Sequence, residues 1–109
     1  MAVNRAFRAL ADPTRRRILR LLRERPRTSG EIADAFQSSW PTISRHLAVL
    51  RSAGLIVQER KGQFIEYDVN TTVLQEVVEF LLDSVPSGRT GWRSNIERAL
   101  PFPSRSPRR

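Results

Sequence analysis

Apolar side chains recur three and four residues apart from Val3 to Leu50. They then alternate between 55 and 69, and return to helical spacing up to about Val85. Val3, Phe7 and Leu10 share one face of a short first helix beginning near Asn4. Asp12-Pro13-Thr14 breaks that helix and starts another. Asp12 can accept from the free amides of a first turn, and Pro13 has no amide to leave unpaired there. The second helix runs to about Arg25 with Ile18, Leu19, Leu21 and Leu22 inward, and Pro26 ends it. Thr28 or Ser29 then caps a third, short helix through Phe36, burying Ile32, Ala33 and Phe36.

The polar turn Gln37-Ser38-Ser39 leads into the most informative stretch, a fourth helix over residues 40–53 with Ser39 as its cap. Ile43, Leu47 and Leu50 form its inward stripe, while Thr42, Ser44, Arg45, His46 and Arg51 are expected to face outward. Gly54 stops it where a left-handed backbone is usually needed. Such a helix is shaped to be held by its back and to offer its front to a hydrogen-bonding surface. The base edges of a DNA major groove are such a surface.

From Leu55 the period becomes two. Residues 55–60 and 63–69 suit strands, and Lys61-Gly62 between them predicts a tight hairpin turn. Asn70, or a threonine after it, caps a last helix whose stripe is Leu74, Val77, Val78, Leu81 and Leu82, with Phe80 off it. The order is three helices, a turn, a helix, a hairpin and a helix. It predicts a mainly α domain with a small β-hairpin: a winged helix-turn-helix over residues 1–85, with 40–53 as recognition helix and 55–69 as wing.

Composition narrows the picture. The 109 residues suit one small domain, whose modest core would benefit from a dimer partner. There is no cysteine, hence no disulfide or thiolate site, and no apolar run approaches the length of a membrane span. The start of the chain lacks a signal-peptide pattern, so a cytoplasmic protein is expected. The net charge of +8 is unevenly spread, with six arginines and one glutamate in 86–109. That Pro/Ser/Arg-rich stretch is expected to be a mobile tail, and the whole-chain charge is therefore weak evidence for nucleic acid.

Charge on the body points more directly. Ser39, Trp40, Thr42, Ser44, Arg45, His46 and Arg51 on or beside the fourth helix are candidate DNA contacts, Arg45 as a bidentate donor to guanine. Trp40 could equally fix the start of the helix. Arg60, Lys61 and Gln63 at the wing tip suit phosphate or a minor groove. Arg15, Arg16 and Arg17 are consecutive and cannot all face one way, so pairing with Asp12, Glu24 or Asp34 competes with a DNA role. A lone His46 with Glu76, Glu79 and Asp83 on another helix makes no transition-metal site of ordinary composition. No cofactor is expected. Nor does the chain show a nucleophile–base set or a glycine-rich phosphate loop, so an enzyme is not expected.

Taken together, Ala11-Asp12-Pro13-Thr14-Arg15-Arg16-Arg17-Ile18-Leu19, Ile43-Ser44-Arg45-His46-Leu47 and Ala53-Gly54-Leu55-Ile56 resemble the ArsR type of bacterial winged-helix repressors. The 60–67 wing and Asn70-Thr71-Thr72-Val73-Leu74-Gln75 look closer still to its cysteine-free branch, which contains the sporulation-delay autorepressor. The resemblance spans roughly residues 3–85. It implies a homodimer packed through the first and last helices, which would use Val3, Phe7, Leu10, Leu74, Val77, Val78, Leu81 and Leu82. It also implies repression by occupying double-stranded operator DNA, with autoregulation as one form. Two competitors stand beside this reading. One is a protein-interaction module built on the winged helix, and the other a metal- or ligand-sensing repressor. A regulatory protein is one candidate for the releasing signal.

Overall fold

The computed structural model describes residues 2–85 and Arg98, so apart from Arg98 the expected tail 86–109 lies outside the described residues. Helices α1 (Ala2–Leu10) and α2 (Pro13–Glu24) come first, then a two-residue strand β1 (Arg27–Thr28). Helices α3 (Ser29–Phe36) and α4 (Trp40–Ser52) follow, then strands β2 (Ile56–Lys61) and β3 (Phe64–Val69), and last α5 (Thr71–Asp83).

Side-chain caps set most of these boundaries. The Asp12 carboxylate accepts from the Arg15 amide at 3.1 Å to open α2, with Pro13 in the first turn. Of the two candidates for α3, Thr28 is the cap. Its Oγ1 accepts from the Glu31 amide while the Glu31 carboxylate accepts from the Thr28 amide at 2.9 Å, a reciprocal box. Ser39 caps α4 and Asn70 caps α5. Gly54 follows α4 at φ +79°, a backbone that other residues enter only with strain.

The hairpin expected from the sequence is part of a three-stranded sheet in the order β1-β3-β2. Arg27 and Thr28 pair antiparallel with Tyr67 and Glu66, so the foot of the wing is anchored to the segment between α2 and α3. The turn also lies one residue later than expected. Lys61 pairs with Phe64, leaving Gly62 and Gln63 as the loop, with Gly62 at φ +62°. A positive φ confined to the first loop position matches the II′ arrangement that suits twisted strands.

Ile18 and Leu22 of α2, Ile32 of α3, Ile43 and Leu50 of α4, and Leu55 and Ile56 entering β2 are fully buried together. Leu47, Ala6 and Ala9 complete this core, and the three buried residues of α4 are the stripe expected from its spacing. On α5 the outcome is mixed. Val77 and Leu82 are buried, Leu74 and Val78 are half-buried, and Leu81 is exposed rather than inward. Phe80 meets Phe7 of α1 edge-on with ring centroids 5.9 Å apart, so α1 and α5 are joined by an aromatic pair beside the stripe. No described helix is long and apolar enough to cross a membrane.

Candidate nucleic-acid interface

With its apolar back held in the core, α4 presents Trp40, Thr42, Ser44, Arg45 and Arg51 to solvent. Ser39 and Thr42 are tied together. The Ser39 hydroxyl donates to Thr42 Oγ1 at 3.0 Å and accepts from the Thr42 amide at 3.4 Å. Ser44 and Arg45 face out one turn further along, Arg45 without a carboxylate partner among the described residues.

Trp40 has the structural role considered for it, fixing the start of the helix. Its indole lies over Gly30 of α3, so close that a Cβ there would sit 3.0 Å from Cζ2. A glycine at 30 is therefore what seats the ring and sets where α4 begins. Even so, Trp40 stays 59% exposed. Together with Gln63, Phe64, Ile65 and Tyr67 it lines a groove of about 370 Å³ between α3, the start of α4 and the wing.

The wing has two unlike faces, because side chains alternate along paired strands. Lys61 and Phe64, Glu59 and Glu66, and Val57 and Asp68 are cross-strand partners that share the outer face. Three carboxylates there repel a phosphate backbone, while the opposite face packs toward the core through Ile56, Tyr67 and Val69. At the tip Arg60 donates to the Gly62 carbonyl at 3.4 Å, and Lys61 stands 3.8 Å from Glu59 with most of its surface free. Gln63 is exposed in the turn, and Phe64 beside it is 64% exposed. Phe64 was absent from the residues singled out by sequence, although an aromatic next to a tight turn was a visible signal.

His46 departs from expectation. Its position in the helix predicts an outward side chain like those of Ser44 and Arg45, but the side chain is only 17% exposed and turns toward α2. Its Nδ1 lies 3.3 Å from Arg15 Nη1 and 3.9 Å from Asp12 Oδ2. Arg15 itself also donates to the carbonyls of Ala9 at 2.7 Å and Arg8 at 3.3 Å, and Arg16 donates to that of Leu10 at 2.7 Å. These carbonyls belong to the last turn of α1, where a helix runs short of its own donors, and that of Arg8 also accepts from the Ala11 amide at 3.2 Å. Arg17 stacks 4.8 Å over the Phe36 ring. The three consecutive arginines of α2 are thus engaged within the fold, and one of them fastens α1 to the recognition helix through His46.

The Asp12 carboxyl is held below its ordinary value of 3.8, chiefly by the Arg15 amide and further by the Arg15 charge, while partial burial works the other way. A depressed folded value adds stability above the ordinary carboxylate range, and that stability is lost as pH falls through it. Thermal unfolding of the wild type should therefore fall more steeply below about pH 4 than that of Asp12→Asn, which keeps a capping oxygen without the charge. Parallel pH profiles of the two would refute this. Among the described residues, no three His, Asp or Glu side chains gather as a metal-binding group.

The model of the bacterial regulatory protein family named for ArsR matches residues 12–57, from the Asp12 cap through α4 into β2. The transcriptional repressor SdpR of Bacillus subtilis is 48% identical over 86 residues, which are 79% of this chain and 96% of that protein. The chain belongs to the ArsR family. An arsenic resistance transcriptional regulator of Pseudomonas putida is 40% identical over 89 residues, covering 81% of this chain and 69% of that one. Among solved structures, a crystal structure of an ArsR family transcriptional regulator superimposes with a TM-score of 0.69 at 30% identity, covering 76% of this chain and 86% of that one. The homodimeric winged helix-turn-helix DNA-binding domain from Mycobacterium bovis gives 0.65 at 30% identity, covering 76% and 78%. The winged helix-turn-helix is therefore this chain's fold, and α3–α4 is its helix-turn-helix.

Proposed function

We propose that the chain is a transcriptional repressor that binds a pseudo-palindromic operator as a homodimer. Two α4 helices would enter successive major grooves about one helical turn apart, with the wings reaching outward. The observation that carries this reading is the front of α4. Arg45 and Ser44 stand exposed on a rigid helix held by its buried back, and Arg60, Lys61 and Gln63 stand exposed at the tip of the wing. Repression is supported by the 48% identity to SdpR, itself a transcriptional repressor, and a cytoplasmic site of action follows from that role.

The reading is tested with DNA from upstream of the chain's own gene against scrambled DNA, at two salt concentrations. A preference for the upstream DNA that persists at the higher salt is expected, and equal affinity there would end the specific-repressor reading. Within the same assay Arg45→Ala should cut discrimination by about 1–3 kcal/mol per half-site, the worth of one bidentate base contact. Lys61→Ala should weaken both DNAs alike and flatten the salt dependence by about one unit of slope per phosphate lost. The roles are misassigned if the two variants exchange these behaviours.

A further inference from the structure

We propose that Arg5 and Arg8 of α1 extend the DNA-binding surface, gripping the sugar–phosphate strand on the side of α4 away from the wing. The proposal deepens the repressor reading and rests on α4 being the DNA-facing helix. Two grooves flank α4. One, toward the wing, holds Trp40, and the other is a trough of about 340 Å³ between α1 and α4. Arg5 and Arg8 from α1 and Arg45 from α4 line the second, with Ala48, Val49 and Ala53 as an apolar floor and Ser52 at its edge.

Three arginines line one trough, and among the described residues no carboxylate pairs with any of them. Three unpaired like charges in one trough favour a bound anion. The backbone of duplex DNA offers what the trough lacks, with phosphates spaced along a strand and deoxyribose carbons between them to lie on alanine and valine. Its continuity with Arg45 favours this occupant, because a strand bordering the groove read by α4 must run past one flank of that helix or the other. The three consecutive arginines of α2, by comparison, are engaged within the fold. Arg15 and Arg16 hold the α1 carbonyls, and Arg17 lies over Phe36.

The helical spacing of α1 also separates its tasks. Phe7 reaches α5 through Phe80, while Arg5 and Arg8 line the trough against α4. A dimer formed through α1 would then bring both pairs of arginines to the phosphates near the centre of the operator.

The experiment is a salt series of DNA binding by the full chain carrying Arg5→Gln and Arg8→Gln together, with Arg5→Lys/Arg8→Lys and Lys61→Ala in parallel. The glutamine variant should lose about two units of salt slope per protomer, since each phosphate contact contributes about 0.9. Its affinity should drop by a common factor of about ten or more on upstream and scrambled DNA, because phosphates carry no sequence. The lysine variant should restore the slope. Unchanged helicity and sedimentation would show that folding and assembly are intact. An unchanged slope in the glutamine variant, with Lys61→Ala still reducing it, overturns the α1 assignment and leaves the repressor reading standing. No effect of any of these cations overturns both. Binding of 2-naphthoate to the wild type but not to the glutamine variant, with slopes equal, overturns the proposal by assigning the trough to a small organic anion.

Discussion

Leu81→Glu is expected to halve the particle mass in sedimentation and to lower operator affinity about 10²–10⁴-fold, the range gained by tethering two binding modules. Leu81 is 51% exposed on α5, near exposed Phe80 and Val85 and across from half-buried Val3, Phe7 and Leu10 of α1. In a single protomer this is a broad apolar surface that nothing among the described residues covers. A two-fold partner offering the same surface would cover it, each protomer meeting its own residues. The variant leaves the core alone, so the isolated protomer should keep its helicity. A carboxylate placed in the dimer contact, however, would be stripped of water without a partner. Wild-type mass for Leu81→Glu at micromolar concentration would exclude α5 from the interface. Reduced mass with wild-type operator affinity would show that one protomer suffices for DNA.

Much of the architecture was legible because local chemistry and tertiary packing agree. Asp12, Ser39 and Asn70 each open a helix and Gly54 closes one in the way their side chains or backbone freedom suggest, and Ile43, Leu47 and Leu50 bury as their spacing requires. What escaped has physical reasons. Two residues, Arg27 and Thr28, carry no period, and their partners on β3 are some 40 positions away, so β1 exists only through the tertiary fold. Gln37 closes α3 at φ +53°, a left-handed cap without the glycine that would announce it. Gly62 can serve either position of a two-residue turn, which explains the shift of one residue in the hairpin.

The site divides along the same line. That α4 has a polar front follows from its own sequence. Which polar residues stay on that front depends on neighbours far along the chain. His46 sits between Ile43 and Leu47 near the edge of the buried stripe, where helical spacing alone decides nothing. The Arg15 and Asp12 side chains, 31 and 34 positions earlier, draw it inward. Arg5 and Arg8 are equally silent in sequence, where they look like the wet side of an amphipathic helix. Only the packing of α1 beside α4 sets them next to Arg45.

Leu50→Ala should lower the stability of the domain by about 3 kcal/mol, within the range for emptying a buried leucine site. For a domain of this size that is a fall of roughly 15 °C in melting temperature. Leu50 is fully buried among Ile18, Leu22, Ile32 and Ile43, where the lost methyl groups leave a void that well-packed helices cannot close. Well below its melting temperature, however, the variant should bind operator within about three-fold of wild type, since residual coupling between separated sites is usually under 0.5 kcal/mol. Arg45→Ala should do the opposite, losing base discrimination with a melting temperature within a few degrees of wild type, as expected of an exposed side chain without a structural partner. The double variant should then show the sum of the two changes. Additivity would mean that one face of α4 holds the helix and the other reads DNA, with no energy passed between them. A strong departure from it, with Leu50→Ala alone erasing discrimination, would mean that the core sets the pose of Arg45, and the front could no longer be treated as a surface separable from its support.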